Sequence, residues 1–301
     1  MLADPLLGSY GIDRTMSRTP IHLLQVGAMV AVACLVSVGI GHGESESVVT
    51  IVADEYRFTG PDRIAGGWNR ITLENHGHDT HHVQFLKLTD GKTVKDFNEA
   101  IAADRTQLPS WVTRYGGVNG VMPGENASVI VDLDPGEYVL ICGIPDKHGR
   151  PHVIHGMSKK LSVGKQEAGR LAAPSYTLTL SMREFAYTFD KPLTAGEQSI
   201  LVRNEGTEAH EVLLLSLEPG ASVMDFLDFF RPGIPRNPSG RTIGGVTGLT
   251  PGRQAIIPLT ANPGRYGILC FLADPIRRRP HFAEGMWMDI DVPSSTTSTA
   301  P

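Results

Sequence analysis

Short apolar runs with strand-like alternation recur along the chain from residue 48, separated by turns that carry Gly and Pro. They fall at 48–53, 69–73, 83–88, 127–133, 138–141 and 158–163, and again at 176–180, 199–202, 212–217, 254–259, 266–269 and 287–292. That rhythm predicts a β-sandwich in each half. Two stretches break it. Residues 93–103 place Val94, Phe97 and Ile101 at helical spacing, and 222–230 do the same with Val223, Phe226 and Phe230. The Gly- and Pro-rich segments after them read as loops covering one end of the sandwich.

The halves are copies of one unit. At a shift of 129, Tyr56 meets Phe185, Asn75 meets Asn204, Gly77 meets Gly206 and His81 meets His210. Further on the shift is 128, so that Gly116-Gly117-Val118 meets Gly244-Gly245-Val246 and Cys142 meets Cys270. One extra residue in the second Cys-to-His loop restores 129 at His281 and Met286. The expected layout is an all-β pair of tandem units at 46–163 and 176–293. A polar, Ala-rich linker at 164–175 joins them, and a Ser/Thr-rich disordered tail follows at 294–301.

Residues 1–45 stand apart. Ile21 to Ile40 is an apolar run without charge, preceded by Arg14 and Arg18 and followed by small and acidic residues. It reads as a secretory signal or, being nearly long enough to span a bilayer, as an uncleaved membrane anchor. Either exports the folded part to a periplasmic or extracellular setting.

Composition narrows the function. The net charge is −5, and no basic run with interleaved aromatics points to nucleic acid. Of three cysteines, Cys34 lies in the apolar run, leaving Cys142 and Cys270 in equivalent positions. Such positions belong to separate cores, too far apart for a disulfide.

The chemistry sits in a second pattern. Pro135-Gly136-x-Tyr138-x3-Cys142 is followed by Pro151-His152-x3-Gly156-Met157, and Pro263-Gly264-x-Tyr266-x3-Cys270 by Pro280-His281-x3-Gly285-Met286. Each copy offers a thiolate, an imidazole and a thioether, the mixed set that suits copper with a weak axial Met. A second imidazole lies upstream in the same frame, in Asn75-x-Gly77-x3-His81 and Asn204-x-Gly206-x3-His210. In order and spacing, N-x-G-x3-H, P-G-x-Y-x3-C and H-x4-M together resemble the cupredoxin, or blue copper, family over both units. The resemblance implies a Greek-key sandwich with one copper per unit. The ligands would be His81, Cys142, His152 and Met157 in the first unit, and His210, Cys270, His281 and Met286 in the second. One feature departs from the small electron carriers of that family: nine and ten residues separate Cys from the second His, rather than a few.

Alternatives stay open in the first unit. His82 competes with His81, and His148 or His155 with His152. His76, His78 and His148 also compose a candidate surface copper site, beside the simpler reading of solvated loop histidines. Met224 and Met288 read as packing residues. Arg277-Arg278-Arg279 reads as a solvated loop tip or as a docking patch for an acidic redox partner protein.

Tandem units also resemble two-domain copper nitrite reductases and small laccases. Those enzymes carry a His directly beside the ligand Cys, whereas here Ile141 and Gly143 flank Cys142, and Leu269 and Phe271 flank Cys270. The expectation is therefore a non-enzymatic, exported one-electron carrier. A copper storage or delivery protein, or a metal-free interaction module, is the alternative.

Overall fold

Alternation of buried and exposed side chains drives the first element. In β1 (Ser47–Asp54) Val49, Ile51 and Ala53 point inward while their neighbours face water. In the computed structural model, which describes residues 47–104, 108–165, 173–228 and 239–294, the first repeat continues with β2 (Arg57–Thr59), β3 (Arg63–Ala65), β4 (Gly67–Asn75), β5 (Gln84–Leu88), α1 (Val94–Ala103), β6 (Val112–Arg114), β7 (Asn126–Leu133), β8 (Gly136–Ile141) and β9 (Ser158–Gly164). The second contains β10 (Leu178–Arg183), β11 (Ala186–Phe189), β12 (Gly196–Asn204), β13 (His210–Leu217), α2 (Val223–Asp228), β14 (Gly240–Leu249), β15 (Gln254–Ala261), β16 (Gly264–Leu269) and β17 (Trp287–Val292). The leader or anchor at 1–45, most of the linker and nearly all of the tail lie outside the described residues. Among the described residues no helix is long and apolar enough to cross a membrane.

Each repeat contributes two sheets that face each other across apolar side chains. In the first repeat, β2-β1-β4-β7 opposes β3-β9-β8-β5-β6; in the second, β11-β10-β12-β15 opposes β14-β13-β16-β17. The opening strands run parallel to their neighbours, β1 to β4 and β10 to β12. This is the all-β sandwich architecture expected of both halves.

The helices sit where their periodicity placed them. Thr93 caps α1 reciprocally with Asp96, and Phe97 and Ile101 pack with Leu86, Leu88, Val139 and Ile141. Ser222 and Asp225 make the same reciprocal bonds at α2, which buries Val223 and Phe226. Phe230 falls outside the described residues.

Two sequence expectations are corrected. Residues 240–249 form a strand, not a covering loop: β14 pairs along β13 from Gly240↔Leu217 to Leu249↔His210. Gly244 and Gly245 hid it, because their φ of 109° and 116° belongs to an irregularity in the ladder rather than to a turn. The two cores are also not separate. Equivalent strands β7 and β15 pair through Val131↔Ala255 and Ile130↔Ile256, joining both halves into one eight-stranded sheet. The two Gly-Gly-Val segments pair as well, through Val118↔Val246 and Tyr115↔Leu249. One apolar cluster consequently contains both Cys142 and Cys270, each a free thiol.

Candidate metal centre

Each site is assembled from a turn, the strand beside it and a closed loop. In the first repeat Asn75 organises the turn. Its side-chain amide donates to the carbonyls of Asp79 and Val121, and its Oδ1 accepts the Gly77 N–H at 2.9 Å. Asn204 does the same with Glu208, Leu249 and Gly206. The chain then delivers His81 and His210, both fully buried.

The long Cys-to-His loop is pinched at its base. Asp146 N–H donates to the Arg150 carbonyl, and Asp274 N–H to that of Arg279, so the additional residues project as a side turn. Below the pinch, His152 N–H bonds Ile144 and Val153 N–H bonds Cys142, mirrored by His281 to Leu272 and Phe282 to Cys270. The departure in loop length therefore leaves the second His beside the Cys. A 3₁₀ turn follows in each copy and ends on Gly156 or Gly285, at φ of 99° and 106°, where a side chain would be strained. That turn returns Met157 and Met286 to the site. Met157 N–H bonds the His152 carbonyl, and the Met157 carbonyl accepts from Cys142 N–H at 3.3 Å; Met286 repeats both bonds. Both methionines are fully buried.

The donor atoms converge. His81 Nδ1 and His152 Nδ1 are 3.1 Å apart, and Cys142 Sγ lies 3.8 and 3.5 Å from them. In the second copy His210 Nδ1 and His281 Nδ1 are again 3.1 Å apart, with Cys270 Sγ 3.4 Å from His281. In both groups the candidate ligand atoms lie within 4.8 Å of one another. Two nitrogens bonded to one ion at about 2 Å each lie roughly 3–4 Å apart, so these spacings fit a shared metal.

The opposite ring nitrogens supply an independent sign. His81 Nε2 faces Glu55 at 4.0 Å and His152 Nε2 faces Asp79 at 3.8 Å; His210 Nε2 faces Glu184 at 3.7 Å and His281 Nε2 faces Glu208 at 3.2 Å. A carboxylate 3.2–4.0 Å beyond each Nε2 favours the tautomer with the proton on that nitrogen, which leaves a lone pair on each Nδ1. Two such lone pairs 3.1 Å apart repel unless a cation lies between them. Gly77 and Gly206 make the arrangement fit: a Cβ at either would lie 2.5 Å from the Glu55 or Glu184 oxygen and 2.9–3.0 Å from the His Nε2.

Burial tunes the groups in the same sense. It pulls His81 and His210 down to about 4, helped by the second imidazole of each pair, and lowers His152 and His281. The rings stay neutral, as metal ligands must. Burial also pushes the Cys142 thiol up to about 12 and the Cys270 thiol well above its ordinary value, so a metal must displace the thiol proton to bind.

His81, Cys142 and His152 are brought together, as are His210, Cys270 and His281, and each group has a buried Met hydrogen-bonded to its Cys through the backbone. The competing histidines go elsewhere. His82 Nε2 accepts the Gly143 N–H at 2.7 Å, and His155 pairs with Asp146 at 2.9 Å. His148 is exposed, and His76 contacts Glu74.

Sequence reasoning missed Glu55, Asp79, Glu184 and Glu208. It also missed the part played by Tyr56 and Phe185, whose rings meet His152 and His281 edge-on with centroids 5.2 Å apart. Tyr56 and Phe185 hold φ of 59° and 58°, an uncommon conformation for aromatic residues. The available signal was the repeat itself, which aligns Glu55 with Glu184 and Asp79 with Glu208 at 129.

No protein-family model matches the sequence, and a search of curated proteins returned no match. Solved structures do. Reduced auracyanin from Roseiflexus castenholzii is 20% identical, the match covering 40% of this chain and 98% of that one at a TM-score of 0.26. The copper nitrite reductase of Nitrosomonas europaea is 15% identical over 83% of this chain and 94% of its own, at 0.25. The copper-containing nitrite reductase of Thermus scotoductus is 14% identical over 85% of this chain and 64% of its own, at 0.24.

Proposed function

We propose that this chain, which has the cupredoxin fold twice over, is an exported copper protein that moves single electrons through a type 1 site in each half. The observation that carries the reading is the duplicated His–Cys–His cluster with a carboxylate behind every imidazole. Copper held there would alternate between its +1 and +2 states. The protein's share is to hold His81, Cys142 and His152, or His210, Cys270 and His281, so tightly that neither state rearranges them. Asn75 and Asn204 fix the turns, the carboxylates orient the rings, and the 3₁₀ turns hold Met157 and Met286 beside the cysteines, where their thioethers would supply a weak further ligand.

A carrier is favoured over an oxidase or nitrite reductase because neither Cys142 nor Cys270 has a neighbouring His to relay electrons to a second copper centre. In the Arg277-Arg278-Arg279 loop beside the second site, Arg277 pairs with Asp274 and Arg279 with Glu284, and Arg278 suits an acidic redox partner. Storage or delivery of copper is the second reading, favoured only if the metal binds without a thiolate band.

The test is to load the mature protein with Cu(II) and compare wild type with Cys142→Ser and Cys270→Ser. The expected result is an intense visible thiolate-to-copper band that each variant reduces by about half. A colourless wild type that binds copper would replace the carrier with the storage reading. Turnover of nitrite or of phenolic substrates with oxygen would replace it with an enzyme.

A further inference from the structure

His82 is one residue beyond a ligand, yet it turns away from the metal site. Its Nε2 accepts the N–H of Gly143, the residue after Cys142, at 2.7 Å. The proton of this neutral ring is therefore on Nδ1. The Asn119 side chain lies between His82 and Glu211, within hydrogen-bonding reach of both. Glu211, one residue beyond the ligand His210, accepts the N–H of Phe271, the residue after Cys270, at 3.0 Å. The remaining capacity of the Asn119 amide is also used: Nδ2 donates to the Val212 carbonyl at 3.3 Å and Oδ1 accepts from Gly120 N–H at 3.0 Å. Asn119 and Glu211 are buried, at 4% and 6% exposure.

These contacts make an unbroken line from one cysteine to the other: Cys142, Gly143, His82, Asn119, Glu211, Phe271, Cys270. It crosses the seam between the repeats, and it is built from residues in which the repeats differ. His82 aligns with Glu211, and Asn119 aligns with Thr247. Thr247 keeps only the anchoring function, donating to the Val83 carbonyl as Asn119 does to Val212. The asymmetry gives an imidazole N–H donor, an amide that both accepts and donates, and a carboxylate acceptor, in an order that satisfies every member.

We propose that this line is the route by which an electron passes between the two metal sites. Electronic coupling decays more slowly along covalent and hydrogen-bonded contacts than across gaps. With both sites loaded, the line would carry one electron from the site holding the reduced ion to the other; its residues would break no bond to hydrogen and transfer no atom. The inference rests on the two-site copper reading and adds to it that the sites act as a connected pair.

The test uses the copper-loaded chain with Met286→Gln, which shifts the second site's band and potential so that the sites can be followed separately. After flash reduction by a photosensitiser, Asn119→Val should slow equilibration between the two bands on the order of tenfold or more, with copper content and both bands retained. His82→Leu, which cuts the line at its other joint, should slow it similarly and serves if Asn119→Val does not fold. Bands intact with an unchanged intersite rate would overturn the route while leaving two copper sites standing.

A metal-free readout separates the two failures. Nitrogen NMR of the apo-protein should find the His82 proton on Nδ1, and Asn119→Val should shift the Gly143 and Phe271 amides together. A proton on Nε2, or movement of neither amide, would refute the bridge. Absence of a blue band in the wild type would instead refute the copper reading beneath it.

Discussion

The two halves agree closely around the His–Cys–His cluster and diverge one residue outside it. In both, the Nδ1 atoms meet at 3.1 Å, a Glu from the turn after the first strand backs the first His, and an acid from the Asn-Gly turn backs the second. Next to the sulfur they part. The first site has Gly143 and the imidazole of His82, whereas the second has Phe271, 40% exposed, and the buried carboxyl of Glu211. With copper bound, duplicated geometry in different surroundings would give two sites of one chemistry and unequal potential. Ligand placement tolerates little change, while nearby charge and solvent access can vary and so tune the metal.

The largest effect expected within this comparison comes from breaking what the halves share. Gly77→Ala should cut copper affinity at the first site by roughly 10–100-fold and leave the second intact, because the added Cβ collides with both Glu55 and His81; Gly206→Ala should do the reverse. Isothermal titration with a competing chelator resolves the two sites, and equal loss at both in either variant would show that they do not act locally.

The joint between the halves comes next. Ile130 and Ile256 pair across β7 and β15 and are buried with Trp68 and Leu201. Ile130→Ala should lower unfolding stability by about 2–5 kcal/mol in denaturant titration, within a single transition. Two separated transitions in the wild type would mean that the halves fold independently.

The difference beside the sulfur gives the third prediction. Burial raises the Glu211 carboxyl to about 7; above that pH it is a carboxylate near Cys270 that favours the higher charge of Cu(II), so there the second site should have the lower potential. Glu211→Gln should raise it by roughly 59 mV or more, a tenfold change in the oxidised-to-reduced ratio, with little change at the first site. Spectroelectrochemistry that finds equal shifts at both sites would contradict this.

The smallest effect is acid-dependent. Glu184 accepts the backbone N–H groups of Thr207 and Glu208, which hold its carboxyl down to about 2 from 4.5. A depressed carboxyl stabilises the folded turn above its unfolded pKa, and that contribution is lost as pH falls from about 4.5 through about 2. The Thr207 and Glu208 amide resonances should titrate over that window in the apo-protein and lose the step in Glu184→Gln.

Much of this was legible in the chain. Alternation located the principal strands, and the duplicated motifs named the residues that converge, because a metal site needs a few residue types at spacings that survive in one dimension. The carboxylates were not legible: a Glu in a turn, as at 55 and 184, looks like an ordinary solvated residue until the fold lays it behind an imidazole. Strand β14 was hidden by Gly244 and Gly245, which signal turns unless a neighbouring strand is there to pair with them. His82 and His81 look equivalent in one dimension, although consecutive residues of an extended chain face opposite ways and only one could reach the cysteine. The joined core was invisible because pairing between β7 and β15 depends on a seam that neither repeat encodes alone.

Copper content against the visible thiolate-to-copper absorption, measured on one purified sample, tests the central claim most directly. Two coppers per chain, each adding an equal share of the band as it is titrated in, is the predicted result. Saturation with no such band, or a band that survives the loss of both Cys142 and Cys270, would contradict it.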